Sequence, residues 1–393
     1  MFIKTIRKSS VVSALLLAAV VAGGIALLMW PQAAATGVSR GLSICSSVII
    51  PSLFPFLVLS GFLVRSGLSV KLGRRLDRVT RALFGLPGCC GAGILIGFIG
   101  GYPAGGMAAG ELVEQGAITR EEGKKMLRFC VNGGPAFIIS AVGAGLMGDI
   151  RYGVMLYAAH IAAAVLIGLF GRLWEGRRCP PCDASQRQGR GTRPPAGNKR
   201  KGSGLPAPAA FVEAVNAACR SMLYMCGFVV LFAAALSLFD ATGVTAFMNH
   251  LLSTPFRMAG GDTEGLDCLF PCLLEVSCGC VEAARAGVAA PLLLGIAMGW
   301  GGLSVHCQLA ATLREHKLMD KSFFAARAVH GLLGGALSLL LFRFVPIAVS
   351  TFSPAADAMV VPFYTSATAS LALLAMCALL LLTTTRKNCS RKD

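Results

Sequence analysis

The sequence of 393 residues is poor in charge, because Asp, Glu, Lys and Arg together make up only 14% of it. Side chains with a polar aromatic ring are scarce as well, with 5 His, 5 Tyr and 3 Trp. Hydrophobic residues make up 55%, and the mean hydropathy is +0.69. A soluble domain with a solvated surface hardly sustains these values. The composition therefore predicts an integral membrane protein.

Signatures of common enzymes are also missing. The chain has no nucleotide-binding P-loop, no HExxH motif, and no Gly-x-Ser-x-Gly nucleophile elbow in a soluble domain. Cys179 and Cys182 have CxxC spacing, but no second pair or histidine lies near them in the sequence. The remaining cysteines lie mainly in apolar segments, where thiols usually pack as small residues. We therefore expect no catalytic residue, no metal site and no cofactor.

Apolar runs long enough to cross a bilayer, or nearly so, recur along the chain. They lie at about 10–30, 41–64, 83–112, 129–148, 152–174, 221–239, 287–312, 323–349 and 361–384. A shorter run at 267–283 carries acidic residues and predicts a re-entrant segment. The first run follows Lys4, Arg7 and Lys8, so a signal peptide is the alternative to the transmembrane helix that we expect.

Two glycine-rich stretches interrupt these runs. Gly97–Gly106 contains Gly-Gly-Tyr-Pro-Ala-Gly-Gly, and Val131–Pro135 reads Val-Asn-Gly-Gly-Pro. An unpaired backbone group in hydrocarbon costs several kcal/mol, so non-helical backbone occurs there only when protein shields it or when it lines a polar cavity. Broken helices at membrane depth are typical of secondary transporters. Close helix packing through small residues is the alternative, but it does not call for Tyr-Pro or Asn-Gly-Gly-Pro.

The net charge of +17 lies mainly in loops, so it indicates membrane orientation rather than a nucleic-acid surface. Six basic residues surround the single acid Asp77 after the second run, namely Arg65, Lys71, Arg74, Arg75, Arg78 and Arg81. The 175–209 segment is basic and rich in Pro and Gly, which predicts a disordered cytoplasmic linker. Binding of anionic lipid headgroups is an alternative role for this segment.

The two parts of the chain on either side of this linker are related. A shift of 201 residues aligns Gly100-Gly101 with Gly301-Gly302 and Gly133-Gly134 with Gly334-Gly335. Both halves thus show an apolar break, a short charged turn and a glycine-interrupted helix. We expect an all-α polytopic membrane protein with two related halves, broken helices and re-entrant hairpins, similar to secondary transporters. The expected divisions are an N-terminal anchor at 1–36, a first repeat at 37–174, the linker at 175–209, a second repeat at 210–349, and a C-terminal transmembrane helix with a basic tail at 350–393.

Several motifs carry a family resemblance over roughly residues 40–345. They are Pro51-Ser52-Leu53-Phe54-Pro55-Phe56, Gly101-Tyr102-Pro103-Ala104-Gly105, Gly134-Pro135, Leu274-Glu275-Val276, and Gly301-Gly302-Leu303-Ser304-Val305-His306-Cys307-Gln308. This combination resembles the sporulation integral membrane protein YlbJ family. The resemblance implies a nucleoside-recognition, or Gate, domain in each half, similar to concentrative nucleoside transporters. It also implies movement of dipicolinate across the outer forespore membrane of a sporulating bacterium.

The resemblance implies inverted halves. In contrast, the basic residues Arg386, Lys387, Arg391 and Lys392 favour a cytoplasmic C-terminus, which an even number of crossings per half would give. Both arrangements stay open at this point.

Glu275 is the most informative candidate residue, because apolar residues flank it and a carboxylate in a membrane is costly and usually functional. It would accept a proton, bind a driving cation or hydrogen-bond the solute, as the corresponding hairpin acid does in the transporters that this segment resembles. An acid at the membrane edge that ends a helix is the alternative. The candidate solute-binding residues are Gly101, Tyr102, Pro103, Gly105, Asn132, Gly134, Pro135, Glu275, Ser277, Ser304, His306, Gln308, Arg327 and His330.

Among these, Arg327 and His330 suit an anionic solute such as dipicolinate, whereas Asn132, Gln308 and Glu275 suit a nucleoside. The expected partners are a small-molecule solute and the lipid bilayer, with a coupling proton or sodium ion and with homo-oligomer formation left open. We expect no nucleic acid. A structural protein of a sporulation membrane complex and a membrane enzyme of unrecognised type are the alternatives to a transporter.

Overall fold

The computed structural model describes residues 2–114, 116–176, 205–258 and 265–344. These residues form α-helices, two π-helical segments and two short 3-10 turns, with no β-strand among them. The predicted all-α polytopic membrane fold is confirmed. The predicted C-terminal transmembrane helix and basic tail, and most of the predicted linker, lie outside the described residues.

The helices of the first half are numbered α1 to α8. They are α1 Phe2–Met29, α2 Pro31–Ile44, α3 Ile50–Arg65, α4 Leu68–Phe84, α5 Cys89–Ile99, α6 Tyr102–Glu114, α7 Arg120–Cys130 and α8 Ile150–Gly176. The π-helical segments Cys45–Ile49 and Ala136–Leu146 precede α3 and α8.

The helices of the second half are numbered α9 to α15. They are α9 Ala207–Ala241, α10 Val244–Met258, α11 Leu269–Leu274, α12 Val276–Ala284, α13 Ala290–Trp300, α14 Gly302–Thr312 and α15 Lys321–Arg343. The short α11 and α12 form the segment predicted to be re-entrant at 267–283.

Four stretches of helix are long and apolar enough to cross a membrane. They are Ile150–Trp174, Ala207–Ala241, Gly287–Thr312 and Lys321–Arg343. Two further apolar pairs are bent, by 97° between α1 and α2 and by 79° between α4 and α5. The described residues therefore contain between four and six spans, fewer than the apolar runs alone indicate. The difference arises because the run at 361–384 lies outside the described residues and because several other runs are divided by bends and breaks.

Some helix boundaries of the two halves coincide under the predicted shift. The shift of 201 residues places α5 on α13 at both ends, and it places the first residue of α7 on the first residue of α15. Both α7 and α15 begin at a residue whose side chain caps the helix. The Thr119 hydroxyl accepts the Glu122 N–H within a capping box, and the Asp320 carboxylate accepts the N–H groups of Ser322 and Phe323.

The halves differ where a glycine-interrupted helix was expected in both. The first half breaks at 131–135, but α15 continues through Gly334 and Gly335 without interruption, so the expectation was wrong for the second half. The first break contains Pro135, which has no N–H to continue a helix, whereas 332–336 contains no proline. Gly335 instead lets α15 pack closely on Gly295 of α13.

Candidate functional site

The breaks between the half-helices are the non-helical backbone from which a site is built. They fall at Gly100–Gly101 between α5 and α6, at 131–135 after α7, at Glu275 between α11 and α12, and at Gly301 between α13 and α14. Gly101, Gly301 and Gly302 have φ values of +86°, +86° and +76°. L side chains rarely adopt this conformation, which explains why glycine occupies these positions.

The breaks contact one another in pairs. A methyl group on Gly134 would lie 3.0 Å from the Ile99 carbonyl oxygen and 3.2 Å from the Gly101 nitrogen, so the first two breaks touch. A methyl group on Gly302 would lie 2.9 Å from the Val276 nitrogen, so the last two breaks touch as well. Because the breaks approach one another closely, main-chain groups of both halves surround the same cavity.

Tyr102 connects the two pairs of breaks. Its hydroxyl donates a hydrogen bond of 2.7 Å to the Met298 carbonyl near the end of α13. Its ring also lies beside Gly301, because a methyl group there would be 3.5 Å from the Tyr102 Cε1 atom. This phenol therefore holds the first half against the second.

A cavity of about 30 Å³ lies where these breaks meet. Seven of the candidate residues line it, namely Gly101, Tyr102, Pro103, Gly134, Glu275, Ser277 and Gln308. The rest of its wall is formed by Ile49, Leu53, Phe137, Met225, Val229, Val276 and Val305. Since one buried water needs roughly 10 to 15 Å³, this volume holds about two waters. The space where the candidate residues converge is thus narrow.

Glu275 is the one carboxylate in this wall, and it is fully buried. One oxygen, Oε2, accepts the Cys278 N–H at 2.7 Å and caps the N-terminus of α12. The other oxygen, Oε1, has no hydrogen-bond partner among the described residues. Glu275 therefore lies between two helices, as the C-cap residue of α11 and the N-cap residue of α12, and among the described residues its Oε1 atom is left free at the junction.

Two further contacts hold the Glu275 break in place. The Trp300 indole donates a hydrogen bond of 3.0 Å to the Leu273 carbonyl. The Asn249 side chain binds both sides of the 3-10 turn before α11, since its amide donates to the Asp267 carbonyl and its oxygen accepts the Phe270 N–H. Trp300 and Asn249 were not among the residues that sequence analysis singled out.

Seven candidate residues lie outside the cavity wall. They are Gly105, Asn132, Pro135, Ser304, His306, Arg327 and His330. Gly105 packs against the backbone of α7, because a methyl group there would overlap the Cys130 carbonyl oxygen. The Asn132 amide donates to the Phe129 carbonyl at 2.8 Å, and Pro135 lies at the start of the π-helical segment. These three residues shape the first-half breaks.

His306 and Ser304 lie on α14, on the side away from the cavity. The His306 Nε2 atom is 3.1 Å from the Trp300 carbonyl oxygen, and its ring packs edge-on against Trp300, Phe323 and Phe324. Ser304 is fully buried, and its hydroxyl has no partner among the described residues.

Arg327 is a fully buried cation bonded to main-chain carbonyls. Its guanidinium donates to the carbonyls of Val131 and Gly299, at the C-terminal ends of α7 and α13. Helix C-termini carry partial negative charge, so these two ends stabilise the buried cation. None of the ion pairs found among the described residues includes Arg327. Through these two hydrogen bonds Arg327 connects the end of α7 in the first half with the end of α13 in the second half.

His160 is a further buried polar residue that sequence analysis missed. It lies in the middle of α8, and it contacts both Gly133 in the second break and His330 on α15. A lone histidine inside a long apolar helix is itself a functional signal, although its partners are not visible in the sequence.

No group of three or more His, Cys, Asp and Glu side chains suited to a metal ion occurs within the described ranges. The cysteines in those ranges are free thiols. Cys179 and Cys182 lie outside them.

No protein-family model and no solved structure matches the chain. The chain is 27% identical to the sporulation integral membrane protein YlbJ of Bacillus subtilis (strain 168) over 329 residues. This alignment covers 80% of the present chain and 78% of the relative. The similarity extends over most of both proteins, and it agrees with the motif resemblance. Together they support the assignment of this integral membrane protein to the YlbJ family.

Proposed function

We propose that this protein transports a small organic anion across a membrane and that the solute binds where the helix breaks meet. Glu275 carries the proposal. It is a fully buried carboxylate at a break in the backbone, it lines the cavity, and its Oε1 atom lacks a partner among the described residues. An acid buried in this way is costly and typically binds a proton, an ion or a solute.

The small volume of the cavity supports a transporter that alternates between states. A volume of about 30 Å³ is far smaller than the roughly 300 Å³ or more of typical ligand pockets. Binding of an organic solute therefore requires the breaks to separate. Broken half-helices that meet at the centre of a bundle suit such a movement, because each pair of breaks can move as one body.

Dipicolinate is the solute that we infer. Its aromatic ring matches the apolar wall and the Tyr102 ring, and its carboxylates would bind backbone N–H groups that become available when the helix breaks separate. The buried Arg327 adds positive charge behind Tyr102. Glu275 would repel this dianion unless it carries a proton, so the inference includes coupled entry of a proton. The relative is named as a sporulation integral membrane protein, which supports a role in sporulation, and the outer forespore membrane is the location that we infer.

Uptake by purified protein in liposomes tests the proposal. Labelled dipicolinate should accumulate when an inward proton gradient is imposed, and it should not accumulate in protein-free liposomes. Labelled uridine in the same vesicles should stay at background. Absence of dipicolinate uptake by correctly inserted protein, with either gradient direction, would contradict the assignment.

A nucleoside-type transporter coupled to a cation is the second candidate. The specific observation in its favour is that the Glu275 and Gln308 side chains line the cavity, whereas Arg327 does not. A carboxylate and an amide suit the hydroxyl groups and base edges of a neutral solute. Uridine uptake driven by a sodium or proton gradient, without dipicolinate uptake, would favour this candidate. Uptake of neither solute would favour a structural role in a sporulation membrane complex.

A further inference from the structure

Two buried histidines lie beside the break at 131–135, where His160 bonds to Gly133 and His330 packs on His160, and the proposed transport site does not use them. His160 on α8 is 1% exposed, and His330 on α15 is fully buried. Their rings are stacked with centroids 4.4 Å apart and an angle of 29° between the planes. The pair lies on the outer side of the break from the cavity, since neither residue lines that cavity.

The hydrogen bonds of the pair fix the position of each ring proton. The Gly133 N–H donates to the His160 Nε2 atom at 3.1 Å, so this nitrogen carries a lone pair and not a proton. The His330 Nε2 atom is 2.9 Å from the His160 carbonyl oxygen, which only accepts, so this nitrogen carries a proton. The neutral His160 therefore has its proton on Nδ1. Neither Nδ1 atom has a partner among the described residues.

We propose that His160 is a pH-sensitive latch that holds the second helix break closed while its ring is neutral. A second proton on His160 must bind Nε2, the atom that accepts the Gly133 N–H. The protonated ring then presents an N–H group to another N–H group, and the hydrogen bond that holds the break is lost. Release of Gly133 would free the break to move, whatever solute the protein carries.

The charges around the pair also oppose protonation in the closed state. From α15, Arg327 lies one turn before His330 and binds the Val131 carbonyl at the start of the same break. The packed segments Ala136–Leu146 and α13 contain no titratable residue, and α4 meets α8 at Phe84 and Gly168, two turns from His160.

The remaining neighbour, α7, carries Arg128 and Cys130 in its last turn, where the Arg128 guanidinium donates to the Ser322 hydroxyl, and its acids lie in its first turn. No carboxylate thus faces His160 from these described elements, and the added charge is accommodated only when the break opens.

The size of the effect follows from linkage. A histidine that reaches water has an ordinary pKa of about 6.5, so the open population should rise about tenfold for each pH unit below that value. Above it, the open population should not depend on pH.

Hydrogen exchange of the purified protein in detergent micelles tests the latch. Exchange of the peptide at 129–138, corrected for intrinsic rates, should change by about twofold or less between pH 7.5 and pH 6.5 and should be about tenfold faster at pH 5.5 than at pH 7.5. In His160→Gln, the amide oxygen can still accept the Gly133 N–H but does not titrate, so exchange should stay flat. The matched control His330→Gln keeps His160 and should keep the rise.

Three results would overturn the proposal. They are a wild-type peptide that does not respond to pH, a response that persists in His160→Gln, and a response that is lost in His330→Gln. Exchange of a peptide in the middle of α9 checks that each variant is folded, and the wild-type and His330→Gln measurements decide the question if His160→Gln does not fold. The readout requires no solute, so it is independent of the proposed transport.

Discussion

Glu275 uses its two carboxylate oxygens differently. Oε2 caps α12 through the Cys278 N–H, whereas Oε1 lies buried without a partner among the described residues. A glutamine at this position can still accept the capping hydrogen bond, but it cannot carry or release a proton. The substitution therefore separates the structural role of the residue from the proposed coupling role.

The first prediction is that Glu275→Gln folds and inserts but does not accumulate solute. Accumulation driven by a proton gradient should fall to the level of protein-free liposomes, because the coupling proton has no binding site. Exchange of labelled for unlabelled solute should persist in part, since exchange needs no net proton movement. Parallel measurement of both reactions in one batch of proteoliposomes checks this prediction.

Glu282→Gln is the matched control for this prediction. Glu282 lies on the same helix, α12, but it is partly exposed and pairs with Arg40 at 2.9 Å. An ion pair of this kind contributes up to about 1 kcal/mol to stability, so the control should transport normally. Equal accumulation by the Glu275→Gln and wild-type proteins would remove Glu275 from the coupling mechanism.

The second prediction concerns glycines that have different roles in the first half. Gly101 has φ +86°, and a methyl group there meets no atom closer than 3.7 Å, so Gly101→Ala should cost roughly 1 to 2 kcal/mol of strain. It should fold, yet it should lose transport because the methyl group enters the cavity wall. Gly116→Ala shares the positive φ, at +66°, but lies in a turn with no atom within 4 Å. Uptake and thermal unfolding in detergent should show equal destabilisation of the two variants and loss of transport in Gly101→Ala alone.

Gly105→Ala should behave differently from both variants. Its methyl group would overlap the Cys130 carbonyl oxygen, so either the backbone of α7 or that of α6 must move. We expect a larger fall in thermal stability than for Gly101→Ala. A stable and active Gly105→Ala protein would show that these two helices separate more readily than their packing indicates.

At the scale of helices, the sequence was most informative where backbone chemistry alone decides the structure. Glycine and proline at 100–103 and 131–135 predicted breaks in the first half, and the short run with acids at 267–283 corresponds to the two short helices α11 and α12, whose re-entrant course stays a prediction. Gly334 and Gly335 form a Gly-Gly pair like those at the breaks, but they lie within a continuous helix. Their role depends on the neighbouring glycines of α13, which the sequence does not place beside them.

The partners of the buried polar residues were also beyond sequence reasoning. Arg327 was singled out as a contact for an anionic solute, and a contact with the solute itself stays a prediction. In the structure its guanidinium binds carbonyls at Val131 and Gly299, 196 and 28 residues away along the chain. The His160 carbonyl accepts a hydrogen bond from His330, which lies 170 residues away along the chain. Such pairs follow from the packing of α8, α13 and α15, and no local pattern records them.

The third prediction tests that packing. Gly299→Ala should destabilise the protein by about 1 to 3 kcal/mol, because its methyl group would lie 2.5 Å from the Gly331 Cα atom on α15. Gly227→Ala is the control within another long helix, where a methyl group meets no atom within 4 Å. It should be neutral or should stabilise by up to about 1 kcal/mol. Thermal unfolding in one detergent compares the two, and equal unfolding temperatures would contradict the close contact of α13 and α15.

At the scale of the whole molecule, the basic segment at 65–81, most of which forms α4, lies close to the chain on either side of the predicted linker. The Leu205 N–H, just before α9, donates to the Arg65 carbonyl at the end of α3 at 2.9 Å. Gly85, at the end of α4, lies beside Arg172 near the end of α8. The two ends of the 175–209 segment thus adjoin the basic segment at 65–81. Positive charge on one side of a membrane protein indicates the cytoplasmic side.

The fourth prediction is that the 175–209 segment is cytoplasmic. A membrane-impermeant thiol reagent added outside intact cells should leave Cys179 and Cys182 unmodified, and the same reagent should modify them after the cells are opened. Peptide mass mapping is needed because the chain contains 15 cysteines. A cysteine introduced at Thr242, in the exposed turn at the far end of α9, is the control. The 35 residues of α9 extend about 50 Å, enough to place this turn on the opposite side of a bilayer. It should react in intact cells, whereas the reverse pattern of labelling would invert the orientation of the whole molecule.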